Sequence, residues 1–370
     1  MQNHFSSALS EAVSEHIRLS RTRQETLSWL TYLIMRHGTI CLWRLAAHVA
    51  TAAQTASVRR RFYRFFQYVE LDATAVARIV VDLLGLRSKP WVLAMDRTNW
   101  DFGKTPINIL MVSVIWKGMG IPLIWTLLPS AGNSNTKTRV CLLNRLQKAF
   151  PDLKIAALMG DREFIGDQWM AYLKHQQIPF VLRLRENQYV AREGYETWTV
   201  AGIAGRLERG QKMIVKGWCR LGAAGQSPAV RLVIMRLKTG ELLALAASGN
   251  PRRALSDYRR RWTIETMFGN LKTKGFNLED THITDRGKLS TLLVVLAIAV
   301  ALCVKTGMAA ARLKSIPIKK HGRKAISLFA LGLHALRKIF AADALLQVTD
   351  FLKQLLSPKI PLKLLKSFAL

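Results

Sequence analysis

Acidic residues are scarce in this chain. Its 370 residues include 24 Asp and Glu against 55 Lys and Arg, which gives a formal net charge of +31. The electrostatic field of such a basic protein attracts polyanions. Nucleic acid is therefore the expected partner, and an anionic membrane surface is the alternative. Hydrophobic residues make up 50% of the chain. The chain can therefore bury the cores of two or three domains, which argues against global disorder.

Cysteine is also rare. The four cysteines are Cys41, Cys141, Cys219 and Cys303, each about 80 to 100 residues from the next. No pair has the spacing of zinc ligands, and nothing indicates a disulfide framework. We therefore expect reduced thiols, as in a cytosolic protein.

Long hydrophobic runs are missing too. The longest, Leu292–Val304, has 13 residues, whereas about 20 are needed to cross a bilayer. The first residues lack the charged-then-apolar pattern of a signal peptide. We predict that Leu292–Val304 is a buried core helix, and an interfacial or membrane segment is the alternative.

Residues 1–87 are predicted to form an all-helical DNA-binding domain. Two helical segments, Thr39–Ala50 and Ser57–Val69, form a candidate helix-turn-helix over residues 39–69. In the second segment the apolar residues have core spacing and the arginines take the other positions, as in a helix that enters a major groove. The candidate groove-reading residues are Arg59, Arg60, Arg61 and Arg64. An ordinary basic surface is the alternative.

Apolar and β-branched runs after residue 88 predict a mixed five-stranded sheet with helices. The predicted strands are Trp91–Met95, Ile107–Trp116, Ile121–Leu128, Lys154–Met159 and Pro179–Leu184. Asp96 lies at the end of the first strand, and Asp161 follows the fourth. This α/β order, with acids at two strand ends, fits a ribonuclease-H-like core.

The rest of the chain interrupts and completes this core. The predicted parts are a first core segment at 88–186, a β-rich insertion at 187–250, a second core segment with the catalytic helix at 251–312, and a helical, basic C-terminal region at 313–370.

One helix, predicted over Tyr258–Lys274, carries a stripe of polar residues. At about 100° per residue, four of them lie within roughly 60° of one another: Tyr258, Arg261, Glu265 and Lys272. The apolar residues face another side and can pack on a core. For an isolated helix, a solvated face with a salt bridge is the alternative.

Three acids are the candidate catalytic residues and metal ligands: Asp96, Asp161 and Glu265. Phosphodiester chemistry uses hard oxygen ligands to hold two Mg²⁺ ions about 4 Å apart. Carboxylates from two adjacent strands and a facing helix can build such a site in a ribonuclease-H-like fold.

Five segments carry a family resemblance: WVLAMDRTNWDFGK, INILMVSVIWKGMGIPLIW, GNSN, GDREFIGDQW and YRRRWTIETMFGNLK. Together, over roughly residues 88–290, they resemble the DDE transposases of bacterial insertion sequences. The last segment matches the Tyr-x2-Arg-x3-Glu-x6-Lys (YREK) signature of one group, which has a β-rich insertion before its catalytic Glu.

The resemblance implies a transposase that binds the terminal inverted repeats of its element, then cleaves and transfers DNA strands by a cut-and-paste route through a hairpin. It implies that Asp96, Asp161 and Glu265 hold two Mg²⁺ ions, for which Mn²⁺ can substitute. Tyr258, Arg261 and Lys272 match the positions that contact DNA phosphates. The implied partners are the terminal repeats, target DNA and a second copy of the chain, in the bacterial cytoplasm at the nucleoid and away from membranes.

Further residues are weaker candidates. Trp262, Trp218 and Trp198 are candidates to stack on a flipped base, although each also suits a core position. Arg162, Glu163, Asn99 and Trp100 are candidates to support the acids or contact DNA. Two other functions stay open: a catalytically inactive nucleic-acid-binding protein on the same scaffold, and a basic peripheral membrane protein.

Overall fold

A computed structural model describes residues 2–320 and 322–341. The helices are α1 Gln2–Ser14, α2 Arg21–His37, α3 Leu42–Ala47, α4 Thr55–Tyr68, α5 Ala73–Leu84, α6 Thr136–Ala149, α7 Asp167–His175, α8 Val200–Ile203, α9 Pro251–Arg259, α10 Trp262–Leu271, α11 Arg286–Leu313 and α12 Leu328–Ala341. The strands are β1 Trp91–Phe102, β2 Thr105–Trp116, β3 Met119–Leu127, β4 Ile155–Gly160, β5 Phe180–Arg183, β6 Tyr189–Arg192, β7 Tyr195–Thr199, β8 Lys212–Ile214, β9 Arg220–Leu221, β10 Arg231–Arg236 and β11 Leu242–Ala247. Of the predicted C-terminal region 313–370, residues 342–370 lie outside the described range.

Helices α1 to α5 build the N-terminal part of the chain. One side of α4 packs on the other helices through Val58, Phe62, Phe65 and Phe66, which are all buried. The connection from α3 to α4 spans residues 48–54, which is longer than the turn of three or four residues in a helix-turn-helix. Helices α3 and α4 lie within the candidate helix-turn-helix over 39–69, whose role in DNA binding stays a prediction.

The central sheet is mixed and larger than predicted. Its first five strands are neighbours in the order β3-β2-β1-β4-β5, with β1, β4 and β5 parallel to one another. The sheet then continues through β11, β10 and β8 to eight strands, because β11 pairs antiparallel with the open edge of β5. Part of the predicted insertion therefore extends the core sheet, while β7, β6 and β9 form a separate three-stranded sheet.

Strand β1 does not end before Asp96. It pairs with β2 from Leu93 opposite Val114 to Phe102 opposite Thr105, so Asp96 lies within the strand. The prediction of a strand ending at Met95 was wrong because it relied on apolar residues alone. The partner strand supplies backbone hydrogen bonds that carry β1 through its polar half.

The apolar run Leu292–Val304 lies inside the long helix α11. This helix has a mean hydropathy of 2.4 in its most apolar window, and 94% of that window is buried. By length and composition α11 could cross a membrane. Here it is packed among α2, α5, α12 and β3, in agreement with the prediction of a buried core helix.

Helix α10 lies directly against β3 at Gly120. A Cβ atom at this position would lie 2.6 Å from the carbonyl oxygen of Thr263, which is shorter than real contacts allow. Only a glycine lets the helix backbone approach the strand this closely. The approach sets the position of Ile264, which is fully buried, and of its neighbour Glu265.

Substituting Gly120 with alanine is expected to lower the free energy of unfolding by about 1–3 kcal/mol, because the added methyl group overpacks the contact with α10. Urea denaturation followed by circular dichroism measures the change. Gly249→Ala is the matched control, since a Cβ at Gly249 meets nothing within 4 Å. Equal stability of the two variants would contradict the close contact.

Candidate active site

Asp96 and Asp161 lie side by side in the sheet. Strands β1 and β4 are parallel, and their register pairs Met95 with Gly160. Asp96 follows Met95, and Asp161 follows Gly160. Because neighbouring strands are about 4.8 Å apart, the register places both carboxylates in one small region.

Arg261 joins the first aspartate to the glutamate of α10. Its guanidinium donates one hydrogen bond to Oδ2 of Asp96 at 2.8 Å and another to Oε1 of Glu265. The Arg261 side chain is only 9% exposed, so little water competes for these bonds. Asp96 and Glu265, 169 positions apart in the chain (265 − 96), thus converge on one positive charge.

The electrostatics of this cluster are dominated by burial. Burial raises the pKa of Asp96 to about 6, against the opposing effects of Arg261 and of the backbone N–H of Arg97. Burial disfavours the charged form of Arg261, but Tyr258, Asp96, Asp161 and Glu265 together raise its pKa. The guanidinium therefore remains charged and balances the carboxylates.

Tyr258 contacts the second aspartate. Its hydroxyl donates to Oδ1 of Asp161 at 3.3 Å, and its ring lies 5.5 Å from the guanidinium carbon of Arg261. Burial raises the pKa of Tyr258 well above its usual range. The phenol is therefore a neutral hydrogen-bond donor.

The polar stripe is not on one continuous helix. At Arg260 and Arg261 the backbone N–H groups bond three residues back, to Asp257 and Tyr258, so α9 ends and α10 begins. The prediction of one helix over Tyr258–Lys274 was wrong at this point. The tighter turn still leaves Tyr258, Arg261 and Glu265 facing the aspartates.

Lys272, just after the end of α10, contacts strand β1. Its Nζ donates to the backbone carbonyl of Asn99 at 3.2 Å and lies 5.3 Å from the ring centroid of Trp100. It also pairs with Glu279 at 2.7 Å, and not with Glu265. Asn99 and Trp100 thus contact the lysine, and their role at the acids stays a prediction.

The acidic groups suit a hard divalent cation by their chemistry. Carboxylate oxygens are the ligands that Mg²⁺ prefers, and two of the three carboxylates already bind a common cationic group. Within residues 2–320 and 322–341, no three His, Cys, Asp or Glu side chains are arranged as a ready metal site. Metal ligation by Asp96, Asp161 and Glu265 therefore stays a prediction.

A comparison with known protein families matches residues 87–302 to the transposase DDE domain. The match covers more than half of the chain. The chain belongs to the DDE transposase family. No curated protein matches it. The matched range of this transposase includes both aspartates, Glu265 and the insertion.

A second layer of polar residues holds the aspartates of the transposase domain. Arg97 follows Asp96, and its backbone N–H donates to Oδ1 of Asp96 at 2.8 Å. The Arg97 side chain pairs with Glu163 at 2.6 Å and donates to Asn108 at 3.0 Å. Glu163 lies two residues after Asp161, so this ion pair links the segments that carry the two aspartates.

The same layer fixes the Gly132–Asn135 loop that contributes to the family resemblance. Ser134 donates to Oε1 of Glu163 at 3.0 Å, and Arg97 donates to Asn133 at 3.0 Å. Buried Arg139 donates to the carbonyl of Glu163 at 2.9 Å. The sequence predicted Glu163 as a site residue but not Arg97, Asn108 or Arg139. Arg97 and Asn108 lie inside the recognised segments and Arg139 lies four residues after one, which was the only available signal for them.

Arg162 points to the other side of the site. It pairs with Glu241 at 2.7 Å, and Arg183 binds the same carboxylate. Arg183 was not predicted as a site residue, although its charge influences Tyr258. In the part of the chain that the structure describes, the Nε atoms of Arg162 and Arg183 are shielded from solvent and have no acceptor.

The candidate stacking tryptophans are all partly exposed. Trp262 is 61% exposed at the first position of α10, directly beside Arg261. Trp198 and Trp218 lie in the insertion, and Lys174 and Arg231 lie over the ring of Trp218. Of the three, Trp262 is the one that adjoins a residue of the acidic cluster in the chain, and base stacking by any of them stays a prediction.

The four arginines of α4 differ in their surroundings. Arg61 pairs with Glu25 at 2.6 Å, donates to Thr26 at 2.7 Å and lies over the ring of Trp29. It therefore stabilises the packing of α4 on α2, and groove reading by Arg61 stays a prediction. Arg59 lies over the rings of Trp43 and Tyr63.

Replacing Glu163 with glutamine is expected to destabilise the protein by about 2–4 kcal/mol, because Arg97 would keep a largely buried charge without its partner. The side chains of Arg97 and Glu163 are only 16% and 14% exposed. Urea denaturation measures the loss. The double variant with Arg97→Met should recover part of it.

Glu193→Gln, at an exposed position in the insertion, is the control for charge removal. A loss no larger than that of this control would show that the pair does not hold the site together.

Proposed function

We propose that this protein is the transposase of an insertion sequence that cleaves and transfers the DNA ends of its own element. The observation that carries the proposal is the convergence of Asp96, Asp161 and Glu265 around Arg261, with Tyr258 and Lys272 beside them, inside a DDE transposase domain. Acids for a metal and donors for a phosphate are thus present at one place.

Asp96, Asp161 and Glu265 are proposed to hold two Mg²⁺ ions, which would supply an activated water and charge stabilisation for the leaving oxygen of a phosphodiester. Asp96 and Asp161 lie on rigid strands, and Glu265 lies on a helix fixed against β3. This arrangement positions the carboxylate oxygens before DNA arrives.

The donors are proposed to grip the DNA end. Arg261 has a planar guanidinium that suits two oxygens of one phosphate. Tyr258 remains protonated because of its raised pKa and can donate to a phosphate oxygen. Lys272, beside Asn99 and Trp100, would contact the next phosphate.

The chemistry proceeds by successive displacements at phosphorus. Water attacks the phosphodiester at the element's end, and the 3′ oxygen leaves as a hydroxyl. This hydroxyl attacks a phosphodiester of the opposite strand and displaces the 3′ hydroxyl of the flanking DNA, which forms a hairpin. A second water hydrolyses the hairpin phosphodiester and frees the 3′ hydroxyl again. That hydroxyl then attacks a phosphodiester of target DNA and displaces a 3′ hydroxyl of the target. Exposed Trp262 is the best-placed candidate to stack on the base that a hairpin expels, and two copies of the chain are proposed to pair the two ends.

Asp96→Asn, Asp161→Asn and Glu265→Gln should each lower Mg²⁺-dependent cleavage of a duplex carrying the DNA that borders the gene by at least about 10³-fold, because each removes a charged ligand. Binding to the same duplex should be retained. Asp101→Asn is the matched control, since Asp101 is an exposed acid on the same strand.

Cleavage is measured on labelled duplexes, and binding by fluorescence anisotropy. Nicking retained by one variant would remove that residue from the triad. Metal-dependent cleavage absent from the unaltered protein, with binding intact, would favour the inactive DNA-binding alternative.

Arg261→Gln should tighten the binding of Mn²⁺ to the DNA-free protein by about tenfold, because Asp96 and Glu265 lose the guanidinium that neutralises them. Electron paramagnetic resonance of free Mn²⁺ measures this affinity without any catalytic step. Arg260→Gln is the control, as Arg260 is the exposed neighbour. Equal affinity in the two variants would show that Arg261 does not compete for the acids.

A further inference from the structure

A groove in the N-terminal part of the molecule is lined by arginines. It lies between α2 and α4 and has a volume of about 660 Å³. Its basic lining residues are Arg23, Arg60, Arg61 and Arg64, and hydroxyl groups come from Thr22, Thr26 and Ser57. Such a lining offers many donors to an anion and no carboxylate.

The arginines of the groove fall into two groups. Arg61 is held at the wall by Glu25, Thr26 and Trp29. Arg23, Arg60 and Arg64 are exposed, and among residues 2–320 and 322–341 Arg60 donates only to Ser57, at 3.2 Å. The guanidinium groups of Arg23, Arg60 and Arg64 can thus bind an anionic ligand along the groove. Arg61 adds a fixed positive charge at the groove wall.

The first turn of each helix adds to the positive field. Neither α2 nor α4 has an acidic residue there, although acids are the favourable residues at a helix N-terminus. In α2 this turn instead carries Arg21 and Arg23. Within the described residues, the nearby Glu25 is already paired with Arg61.

The shape of the groove fits a chain of phosphates better than base edges. Its lining on α4 runs from Ser57 to Tyr68, about 16 Å at 1.5 Å per residue. DNA carries one charge per ~3.4 Å of each strand, so several phosphates can lie along it. A helix that reads bases presents its outer face, whereas Arg60 and Arg64 face a groove flanked by α2.

We propose that the groove between α2 and α4 binds one phosphate backbone of duplex DNA, with Arg23, Arg60 and Arg64 as its contacts. It positions the duplex without reading its sequence. The proposal rests on the proposed function, since it assigns a role in DNA binding to a surface remote in sequence from the acids.

The test is the salt dependence of binding to two short labelled duplexes, one of random sequence and one carrying the DNA that borders the gene. Arg60→Ala/Arg64→Ala should weaken binding to both by a similar factor, on the order of 10- to 100-fold. It should also lower the slope of log affinity against log salt by about 2, since each lost phosphate contact lowers it by ~0.9. Adding Arg23→Ala should lower the slope by about one more.

Arg78→Ala/Lys148→Ala is the matched control, because it removes two exposed charges from α5 and α6 outside the groove. It should leave the slope and both affinities nearly unchanged. All variants keep Arg61, and circular dichroism verifies their fold.

Four outcomes would overturn the inference. An effect confined to the bordering DNA would show base reading, and an effect no larger than that of the control would show that the groove does not bind DNA; in both cases the proposed function stands. Tighter binding of double-stranded RNA of the same length would overturn the assignment to DNA. Absence of duplex binding by the unaltered protein would overturn this inference and the proposed function together.

Discussion

The site of this transposase depends on the charge of Arg261. Asp96, Asp161 and Glu265 meet in a partly dehydrated region, where like charges repel one another more strongly than in water. The guanidinium binds two of the three carboxylates and is itself almost completely buried. It joins β1 to α10. Arg261 therefore contributes both to the charge balance of the site and to the packing of the helix on the sheet.

The surrounding structure keeps this cluster in place. The register of β1 and β4 fixes the aspartates, the contact at Gly120 fixes α10, and buried α11 packs against β3. The ion pair of Arg97 and Glu163 then ties the two aspartate-bearing segments to the Gly132–Asn135 loop. Carboxylates held by such a layer need little reorganisation when a ligand arrives.

Local patterns predicted the parts of the fold that local residues determine. The apolar runs predicted β2 to β5 and the core of α11, because segments buried in a core are recognisable as apolar runs in the sequence. The extension of β1 past Asp96 depends on β2, and the joining of β11 to β5 depends on partners 62 to 66 residues away in the chain, so neither leaves a local signal. In the sequence, Arg59 and Arg61 looked equivalent. In the structure, Arg61 pairs with Glu25 of α2, whereas Arg59 lies over the ring of Trp43.

The position of Arg261 also constrains how the proposed reaction begins. One guanidinium cannot neutralise Asp96 and Glu265 and at the same time bind a DNA phosphate with both arms of its fork. On the proposed function, a phosphate that attracts Arg261 would leave two carboxylates without a counter-charge, and these would then bind a divalent cation more tightly. Conversely, cations held among the acids would repel the arginine towards the phosphate. On the proposed function, DNA and metal therefore favour each other's binding by exchanging one arginine, which confines the assembled site to the complex with DNA.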